Sequence, residues 1–429
     1  MTNFPKRILL LGLNSSPELI GIGKYTGELV DDLVAAGVDL RVVTTPPYYP
    51  EWRVKTGYAG WAYRRDVAAK KVVYRCPLWV PKRVTNLNRL PHLLSFSLSS
   101  LPVMLAQTTW KPDLVICVIP TLFSAPVAWL VARLTGAKCW LHIQDFELDA
   151  ALKLGMLPGG TRLLALAQTL EGWLLARFDR VSAISESMLA RAVQKGVLPE
   201  KTYLFPNWVD TGQIFPLQGA NPLRAELGIA ASQKVILYHG NLGRKQGLDL
   251  LLNAARRLSD QAELLFLICG EGVERVELEH KARDLPNVRF INLLPVEKLN
   301  QLVNLADLHI LPQRAGAADT VMPSKLTTML ASGRPVLACA APGTQLWKLV
   351  DQIGRVVPPE EAVALAEAIR ELLGNPLELQ RLGKLGREFA CQFLGKETIL
   401  AEFKKEVEGL ASSAEESAVH LYQELKTGG

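Results

Sequence analysis

Short apolar runs recur along the whole chain and are separated by longer stretches of mixed polarity. Continuous apolar runs bounded by turn-forming residues are typical of strands buried on both faces of a parallel sheet. Amphipathic stretches between them, such as the one after residue 27, predict helices. The runs lie at residues 7–12, 40–44, 114–119, 138–143, 179–185, 202–205, 235–238, 263–269, 288–291, 308–311 and 336–340. This alternation predicts an α/β protein.

The alternation restarts after a linker near the middle of the chain. Pro216 and Pro222 interrupt the pattern between the runs at 202–205 and 235–238. A chain of 429 residues is also too long for a single hydrophobic core. We therefore predict one doubly wound domain over residues 1–210, a second over 211–392, and terminal helices over 393–429.

The first predicted domain contains an insertion over about 45–105 with an unusual charge. Between residues 41 and 111 there are twelve basic and two acidic side chains, a net charge of +10. The whole chain carries +6, so the remainder carries −4. Tyr and Trp are interspersed with the basic residues. The insertion is predicted to be irregular up to residue 89, and the uncharged stretch 92–110 is predicted to be a helix.

Residues 114–132 carry no charge and approach the length that a bilayer span requires. They contain Pro120 and Pro126, and their first part matches the short apolar runs elsewhere. A strand, a turn and a buried helix therefore fit better than a membrane span. The N-terminus does not resemble a signal peptide, because Lys6 and Arg7 lead directly into a strand-like run.

The cysteines and histidines give no metal pattern. The cysteines are far apart without a C-x-x-C pair, which indicates reduced core thiols in a cytosolic protein rather than disulfides or zinc ligands. The histidines form no H-x-x-x-H or H-E-x-x-H pair, and no G-x-S-x-G elbow is present. We therefore expect neither a metal centre nor a serine nucleophile. The cysteines are Cys76, Cys117, Cys139, Cys269, Cys339 and Cys391.

The stretch 319–335 has the features of a phosphate-binding loop and helix. A small-residue loop follows the run at 308–311, Pro323 suits the first turn of a helix, and Gly333 with Pro335 provides a stop signal. A helix that starts at the edge of a sheet directs free N–H groups at an anion. Ser324 would add a hydroxyl donor and Lys325 a positive charge. An ordinary strand–loop–helix–strand unit explains the pattern equally well.

Three glycine-containing turns follow predicted strands. The segment 21–27 has the spacing G-x-G-x-x-x-G, which matches a dinucleotide fingerprint poorly and is also explained by flexible-turn glycines. The turn 240–247 combines three glycines with Arg244 and Lys245 and predicts either an anion site or a solvated basic turn. Gly270 and Glu271 end the run at 263–269.

Several of these segments resemble one family. Residues 322–326 (Met-Pro-Ser-Lys-Leu), 331–336 (Ala-Ser-Gly-Arg-Pro-Val) and 206–210 (Pro-Asn-Trp-Val-Asp) are similar to segments of the retaining GT-B glycosyltransferases of family 4. The similarity is greatest to the branch that builds colanic-acid-type bacterial exopolysaccharides. It implies an α/β GT-B fold, in which two doubly wound Rossmann-like domains face each other across a cleft. It also implies that the terminal helices pack back on the first domain.

The resemblance implies a donor site made largely by the second domain. The family grips its donor with two Glu residues, whose positions are occupied here by Thr320 and Thr328, with Asp319 adjacent as a substitute. Asn241 and Gln246 stand where the family has its diphosphate-binding Arg and Lys. The predicted donor-binding residues are Gly21, Gly23, Gly240, Asn241, Arg244, Lys245, Gly270, Glu271, Thr320, Met322, Pro323, Ser324, Lys325 and Thr328.

The acceptor side is predicted at the end of the run 138–143. His142 and Gln144 are two residues apart, so in a strand they face the same side, and Asp145 follows. With Asp319, which the resemblance implies, the predicted catalytic residues are His142, Gln144, Asp145 and Asp319. A satisfied core histidine is an equally good interpretation of His142.

The resemblance also implies the reaction and its partners. We expect transfer from a GDP- or UDP-sugar to a lipid-linked saccharide with retention of configuration, without a cofactor or metal. The basic, aromatic insertion predicts a cytoplasmic protein bound peripherally to the inner membrane, and a solvated basic surface over a core helix is the alternative interpretation. No nucleic-acid-binding motif accompanies the charge, so we expect no nucleic acid partner. The oligomeric state stays open. The alternatives are a GT-B sugar-nucleotide epimerase and an inactive donor-binding scaffold.

Overall fold

The computed structural model describes residues 4–82, 85–120, 122–146, 161–314 and 323–427, without the side chains of 86, 87, 161–165, 245 and 412–427. The chain forms two compact units. Unit 1 comprises Met1–Pro206 and Leu400–Gly429, and unit 2 comprises Asn207–Ile399. The sequence predicted domain boundaries after residues 210 and 392, and the boundaries between the two units lie after residues 206 and 399.

Unit 1 is built on an eight-stranded sheet in the order β3-β4-β2-β1-β5-β6-β7-β8. Every adjacent pair is parallel except β3 and β4. The central strands are buried along nearly their whole length, which explains their continuous apolar sequence. The strands are β1 (Arg7–Gly12), β2 (Asp39–Thr44), β3 (Arg64–Ala68), β4 (Lys71–Arg75), β5 (Leu114–Ile119), β6 (Lys138–Ile143), β7 (Arg180–Ala183) and β8 (Thr202–Leu204).

Helices connect these strands. They are α1 (Gly21–Ala35), α2 (Asn86–Ala106), α3 (Ala125–Thr135), α4 (Thr161–Leu175) and α5 (Glu186–Gln194). The stretch 114–132 thus forms a strand and most of a helix, as predicted. Within the described ranges, no helix combines the length and apolar character needed to cross a bilayer.

The predicted irregular insertion contains a β-hairpin, and this part of the prediction was wrong. β4 pairs in parallel with β2, and β3 pairs antiparallel with β4 at the edge of the sheet. Buried Arg75 anchors the hairpin, because its guanidinium donates to the carbonyl oxygens of Thr45 and Ser16 and pairs with Asp66. The charged, exposed residues of β3 suit an edge strand but lack the apolar pattern that signals a buried one.

Two helices begin earlier than predicted. The glycines at 21, 23 and 27 belong to α1 itself rather than to a preceding turn. α2 begins at Asn86, where the Thr85 hydroxyl accepts a hydrogen bond from Asn88 N. Thr85 is a favourable N-cap, and that cap lies seven residues before the uncharged stretch on which the prediction depended.

Unit 2 contains a six-stranded, fully parallel sheet in the order β11-β10-β9-β12-β13-β14. The strands are β9 (Lys234–His239), β10 (Leu264–Cys269), β11 (Val288–Ile291), β12 (Leu308–Leu311), β13 (Val336–Cys339) and β14 (Arg355–Val357). The helices are α6 (Pro222–Glu226), α7 (Asp249–Arg257), α8 (Arg275–Lys281), α9 (Leu299–Val303), α10 (Lys325–Ala331), α11 (Gln345–Ile353), α12 (Ala362–Leu373) and α13 (Pro376–Phe393). Leucine-rich clusters cover both faces of this sheet.

The chain ends in α14 (Lys396–Thr427), whose residues from Leu400 onward belong to unit 1. Phe403 is fully buried against Trp140 and stacks on Phe205 with a ring-centroid distance of 4.6 Å. Lys404 pairs with Asp32 at 3.0 Å. An apolar anchor and an ion pair therefore hold this helix on unit 1.

All six cysteines are free thiols, and five of them are buried, as predicted for core thiols. Cys391 is exposed, so the prediction was wrong for this residue. It lies on the solvent-facing side of α13, whereas its neighbour Ala390 is fully buried.

Candidate functional site

Predicted donor-side residues of unit 2 meet at one edge of its sheet. β9 lies between β10 and β12, and all three are parallel, so their carboxyl ends share this edge. Gly240 directly follows β9, and Gly270 directly follows β10. Ligands of doubly wound folds bind outside the carboxyl ends of the strands.

The loops after β9 and β10 are in close backbone contact. Gly240 N donates to the carbonyl oxygen of Cys269 at 2.9 Å, and Leu242 N donates to that of Glu271 at 2.8 Å. A Cβ at Gly270 would clash with the carbonyl oxygen of Gly240. Gly270 is therefore needed to let the two loops approach, which is a structural role beyond the predicted donor contact.

Lys325 connects α10 to the loop after β9. Its Nζ donates to Tyr238 Oη at 2.7 Å and lies 4.3 Å from the centre of the Tyr238 ring. Gly240 has a φ of 128°, and a Cβ there would lie 3.3 Å from Lys325 Nζ. The amino group therefore rests against the backbone of the glycine turn.

Burial lowers the pKa of Lys325 to about 7. A charged ammonium loses hydration in this position, and among the described residues no carboxylate forms an ion pair with it. Burial raises the pKa of Tyr238, so its hydroxyl stays protonated. The edge of the sheet thus holds an amine that lacks a protein counter-ion in the described part of the chain.

The start of α10 differs from the prediction. The helix begins at Lys325 with Ser324 as N-cap, and Pro323 precedes the cap rather than lying in the first turn. The Ser324 side chain makes no capping hydrogen bond. Leu326 N donates to the carbonyl oxygen of Pro323 at 2.9 Å. Asp319, Thr320 and Met322 lie outside the described residues, so their predicted roles stay predictions.

Thr328 lies one turn into α10 and faces β9. Its hydroxyl donates to the carbonyl oxygen of Lys325 and lies 3.3 Å from His239 Nε2. Burial lowers the pKa of His239 to about 3, with a further contribution from nearby Lys325, so this imidazole is neutral. Thr328 therefore forms part of a polar contact between the helix and the strand end.

The remaining predicted residues of the loops after β9 and β10 are more exposed than Lys325. The Arg244 side chain is 88% exposed, with its Nε 4.0 Å from Glu274 Oε1. Glu271 pairs with Arg275 at 2.6 Å. The Asn241 carbonyl oxygen accepts from Tyr238 Oη at 2.7 Å. The side chain of Lys245 lies outside the described part of the structure.

A cavity of about 230 Å³, which the sequence analysis did not predict, lies beside the end of the turn. It is lined in part by Gly247, Asp249, Arg314 and Glu360. Arg314 Nη2 pairs with Asp249 Oδ2 at 3.2 Å, and Arg314 Nε donates to the Arg244 carbonyl oxygen at 2.9 Å. Arg314 therefore links the backbone of the turn at Arg244 to Asp249 at the start of α7.

Unit 1 has its own pocket of about 190 Å³ at the carboxyl ends of its central strands. The predicted residues Gly21 and Asp145 line it together with Arg89, whose guanidinium lies 4.0 Å from the Asp145 carboxylate. Trp52 and His92 contribute aromatic surface, with ring centres 5.1 Å apart. The pocket thus combines aromatic faces with one cation and one anion.

Glu18 organises one wall of this pocket, and the sequence analysis did not identify it as a site residue. Its carboxylate accepts hydrogen bonds from the backbone N–H groups of Tyr48 and Tyr49 and from Asn14 Nδ2. A Cβ at Gly23 would lie 2.5 Å from Glu18 Oε2. Gly23 therefore makes room for a buried carboxylate. Burial raises the pKa of Glu18, and its hydrogen bonds partly offset this.

His142 lies in the core of unit 1 rather than on its surface. Its Nδ1 lies 2.9 Å from Ser182 Oγ, and Gln144 Nε2 lies 2.9 Å from its Nε2. Burial lowers the pKa of His142 to about 3. The prediction that His142 is catalytic is therefore not supported by its placement, and the alternative of a satisfied core histidine describes it. Gln144 is buried beside it.

No group of three or more His, Cys, Asp or Glu side chains among the described residues is arranged to hold a metal ion. The expectation of a metal-independent site stays a prediction.

Two family profiles match the chain. The glycosyl transferase 4-like domain matches residues 21–208, and glycosyl transferases group 1 matches residues 220–389. These matches cover well over half of the sequence. The chain belongs to the family 4 glycosyltransferases.

Individual proteins agree with this assignment. The chain is 43% identical over 412 residues to the putative colanic acid biosynthesis glycosyl transferase WcaI of Escherichia coli K12, covering 94% of this chain and all of WcaI. Sucrose-phosphate synthase from Thermosynechococcus elongatus has a similar fold, with a TM-score of 0.73, 18% identity, and coverage of 95% and 100%. HepE of Anabaena, solved with UDP and glucose, has a TM-score of 0.65, 17% identity, and coverage of 94% and 100%.

For this family 4 glycosyltransferase, the predicted resemblance, GT-B fold class and enzyme class are confirmed. The roles of individual site residues stay predictions. Sequence reasoning missed Tyr238 and Glu18, because each acts through a partner distant in the chain or through backbone groups. Gly240 and Asn241, directly after the end of β9, were the predicted residues next to Tyr238 in the sequence.

Proposed function

We propose that this enzyme transfers a sugar from a GDP- or UDP-sugar to a lipid-linked saccharide, with retention, in assembly of a colanic-acid-type exopolysaccharide. The observation that carries the donor side is Lys325 Nζ, which rests against Gly240 at the carboxyl edge of the unit 2 sheet. The pathway is suggested by WcaI, which is named for colanic acid biosynthesis. HepE, solved with UDP and glucose, supports a nucleotide-sugar donor.

The donor site needs a cation because the leaving group is a nucleoside diphosphate. Its negative charge grows as the glycosidic bond breaks, and a preorganised positive group stabilises that change. Lys325 supplies the charge in this proposal, with Ser324 and the backbone of the turn as hydrogen-bond donors. Arg244 is the second cation, since its 88% exposed side chain is accessible to a ligand. These groups make a metal ion unnecessary.

Retention is proposed to follow from a front-face substitution. The bond between the sugar C1 and the diphosphate oxygen breaks, the acceptor oxygen bonds to C1, and the acceptor proton passes to the departing phosphate. A double displacement would require a carboxylate nucleophile. Two described carboxylates near the glycine turn, Asp249 and Glu271, are engaged by Arg314 and Arg275, respectively. The protein then acts by positioning and by charge stabilisation.

The acceptor saccharide is proposed to bind the pocket of unit 1. Trp52 offers an aromatic face to a sugar ring, and Asp145 and Arg89 offer an acceptor and a donor for its hydroxyl groups. Asp145 lies at the end of β6, where the predicted acceptor side was placed. Glu18 fixes the Tyr48–Tyr49 wall against which the sugar would rest.

The lipid part of the acceptor is proposed to keep the enzyme at the cytoplasmic face of the inner membrane. Trp61, Tyr63 and Val67 are 85%, 55% and 66% exposed around β3, and Arg65 is exposed beside them. Aromatic side chains favour the interfacial layer, and basic ones are attracted to anionic headgroups.

Binding of UDP and GDP to Lys325→Ala and Arg244→Ala tests the donor assignment. Both variants should bind the free nucleoside diphosphate more weakly than wild type, while Lys348→Ala, an exposed lysine of α11, should not. Unchanged affinity of both site variants for UDP and GDP would contradict the assignment. Incubation of a sugar nucleotide without acceptor separates the alternatives, since an epimerase would convert it and a transferase would not.

A further inference from the structure

The surroundings of Lys325 contain little that would hold an ammonium ion in the empty site. Tyr238 supplies a hydroxyl at 2.7 Å and an aromatic face, and Gly240 supplies backbone. His239 on the same strand is a neutral imidazole that pairs with Thr328. Within the described residues, nothing around the amine carries a negative charge that pairs with it.

The charged groups on neighbouring elements are already engaged. Glu271 pairs with Arg275 on α8, and Glu274 lies 4.0 Å from Arg244. His309 on β12 is fully buried, and burial holds its pKa well below the usual range. Tyr238 keeps its proton, because burial raises its pKa. Of these groups, Lys325 is the one whose pKa, about 7, lies near neutrality.

We propose that the donor site takes up a proton at Lys325 when a nucleoside diphosphate binds. The inference rests on the proposed function, since it requires the diphosphate to occupy the loop at Gly240. Above neutral pH the empty site holds a neutral amine hydrogen-bonded to Tyr238. The arriving diphosphate supplies the missing counter-charge, and an opposite charge at close range favours the protonated form.

Linkage gives this proposal a measurable size. With a pKa of about 7 in the free enzyme, about one amine in ten carries a proton at pH 8. If the complex is fully protonated, binding at pH 8 takes up about 0.9 proton. The Kd should then rise by up to about tenfold per pH unit above pH 7.

Calorimetric titration at pH 8 with UDP and with GDP, in buffers of different ionisation enthalpy, measures the uptake. Wild type should take up about 0.9 proton. Lys325→Arg keeps a permanent charge, so it should bind with uptake near zero. The nucleotide phosphate is a second possible source of uptake, and it would act equally in both proteins. Equal uptake by wild type and Lys325→Arg would therefore overturn the proposal.

Carbon-13 spectra of the lysine ε-carbons give a second measurement that does not need the arginine variant to bind. The Lys325 signal, assigned by its absence in Lys325→Met, should titrate near pH 7 in free enzyme and above pH 9 with nucleotide. Titration near pH 10 in the free enzyme would overturn the proposed proton uptake at Lys325 while leaving the donor-binding proposal intact. Failure of both nucleotides to bind wild type would overturn the proposed donor site and the proposed proton uptake together.

Discussion

Replacing Lys325 by Met should stabilise the empty protein, and the gain should depend on pH. A shift in pKa from 10.5 to about 7 corresponds to about 5 kcal/mol of penalty on the charged form. Met fills a similar volume without a charge. Losing the hydrogen bond to Tyr238 costs about 1 kcal/mol. The net gain should be about 4 kcal/mol below pH 7.

The pH dependence has a definite sign. Because the folded-state pKa of Lys325 is lowered, the unfolded chain binds more protons between about pH 7 and 10.5. Wild-type stability from this group therefore rises with pH across that window. The advantage of Lys325→Met should be complete below pH 7 and nearly absent by pH 10.

Thermal unfolding at pH 6.5 and 9.5 measures this difference. For a unit of this size, about 4 kcal/mol corresponds to a Tm rise of roughly 10 °C at pH 6.5. Lys348→Met, on the exposed face of α11, is the matched control and should show no such change. A Tm difference that is the same at both pH values, or a loss of stability at pH 6.5, would refute the reasoning.

Three further outcomes are expected. Transfer activity should survive EDTA, and a loss that Mg²⁺ or Mn²⁺ restores would contradict the metal-independent site. Gly270→Ala should abolish UDP and GDP binding, because its Cβ clashes with the Gly240 carbonyl oxygen, whereas Gly409→Ala in open space on α14 should leave binding unchanged. Flotation with anionic liposomes should fall with salt and after four substitutions to Gln, at Arg64, Arg65, Lys70 and Lys71.

The flotation experiment needs a charge-matched control. Four exposed basic residues of unit 2 can be changed to Gln in the same way, and that variant should float like wild type. They are Lys234, Arg257, Arg283 and Lys348. If wild type stays in solution with anionic liposomes at low salt, the membrane proposal fails and a soluble acceptor is favoured.

Most strands of both sheets were predictable, because strands buried on both faces require continuous apolar sequence. β3 and β4 were missed, since an edge hairpin carries charged side chains and gives no such run. β14 was missed because it has only three residues and begins with Arg355. Local pattern therefore predicts the buried strands of a doubly wound fold better than its edges.

The candidate site was predictable only in part. The loops at Gly240 and Lys325 follow from turn chemistry, because glycines and helix starts leave signals within a few residues. Their contact through Tyr238 does not, since Lys325 and Tyr238 are 87 residues apart. His142 was ambiguous in sequence because a buried and a catalytic histidine look alike at a strand end. Its buried position beside Ser182 and Gln144 is visible only in three dimensions.

The most direct test of the account is transfer itself. Purified enzyme is incubated with lipid-linked saccharides and with each of a panel of UDP- and GDP-sugars. The masses of the lipid products are then measured by mass spectrometry. The account predicts that one donor extends the lipid-linked saccharide by one sugar and releases its nucleoside diphosphate, and that Lys325→Ala loses most of this activity. Donor binding without any extended lipid, or conversion of the donor without an acceptor, would contradict it.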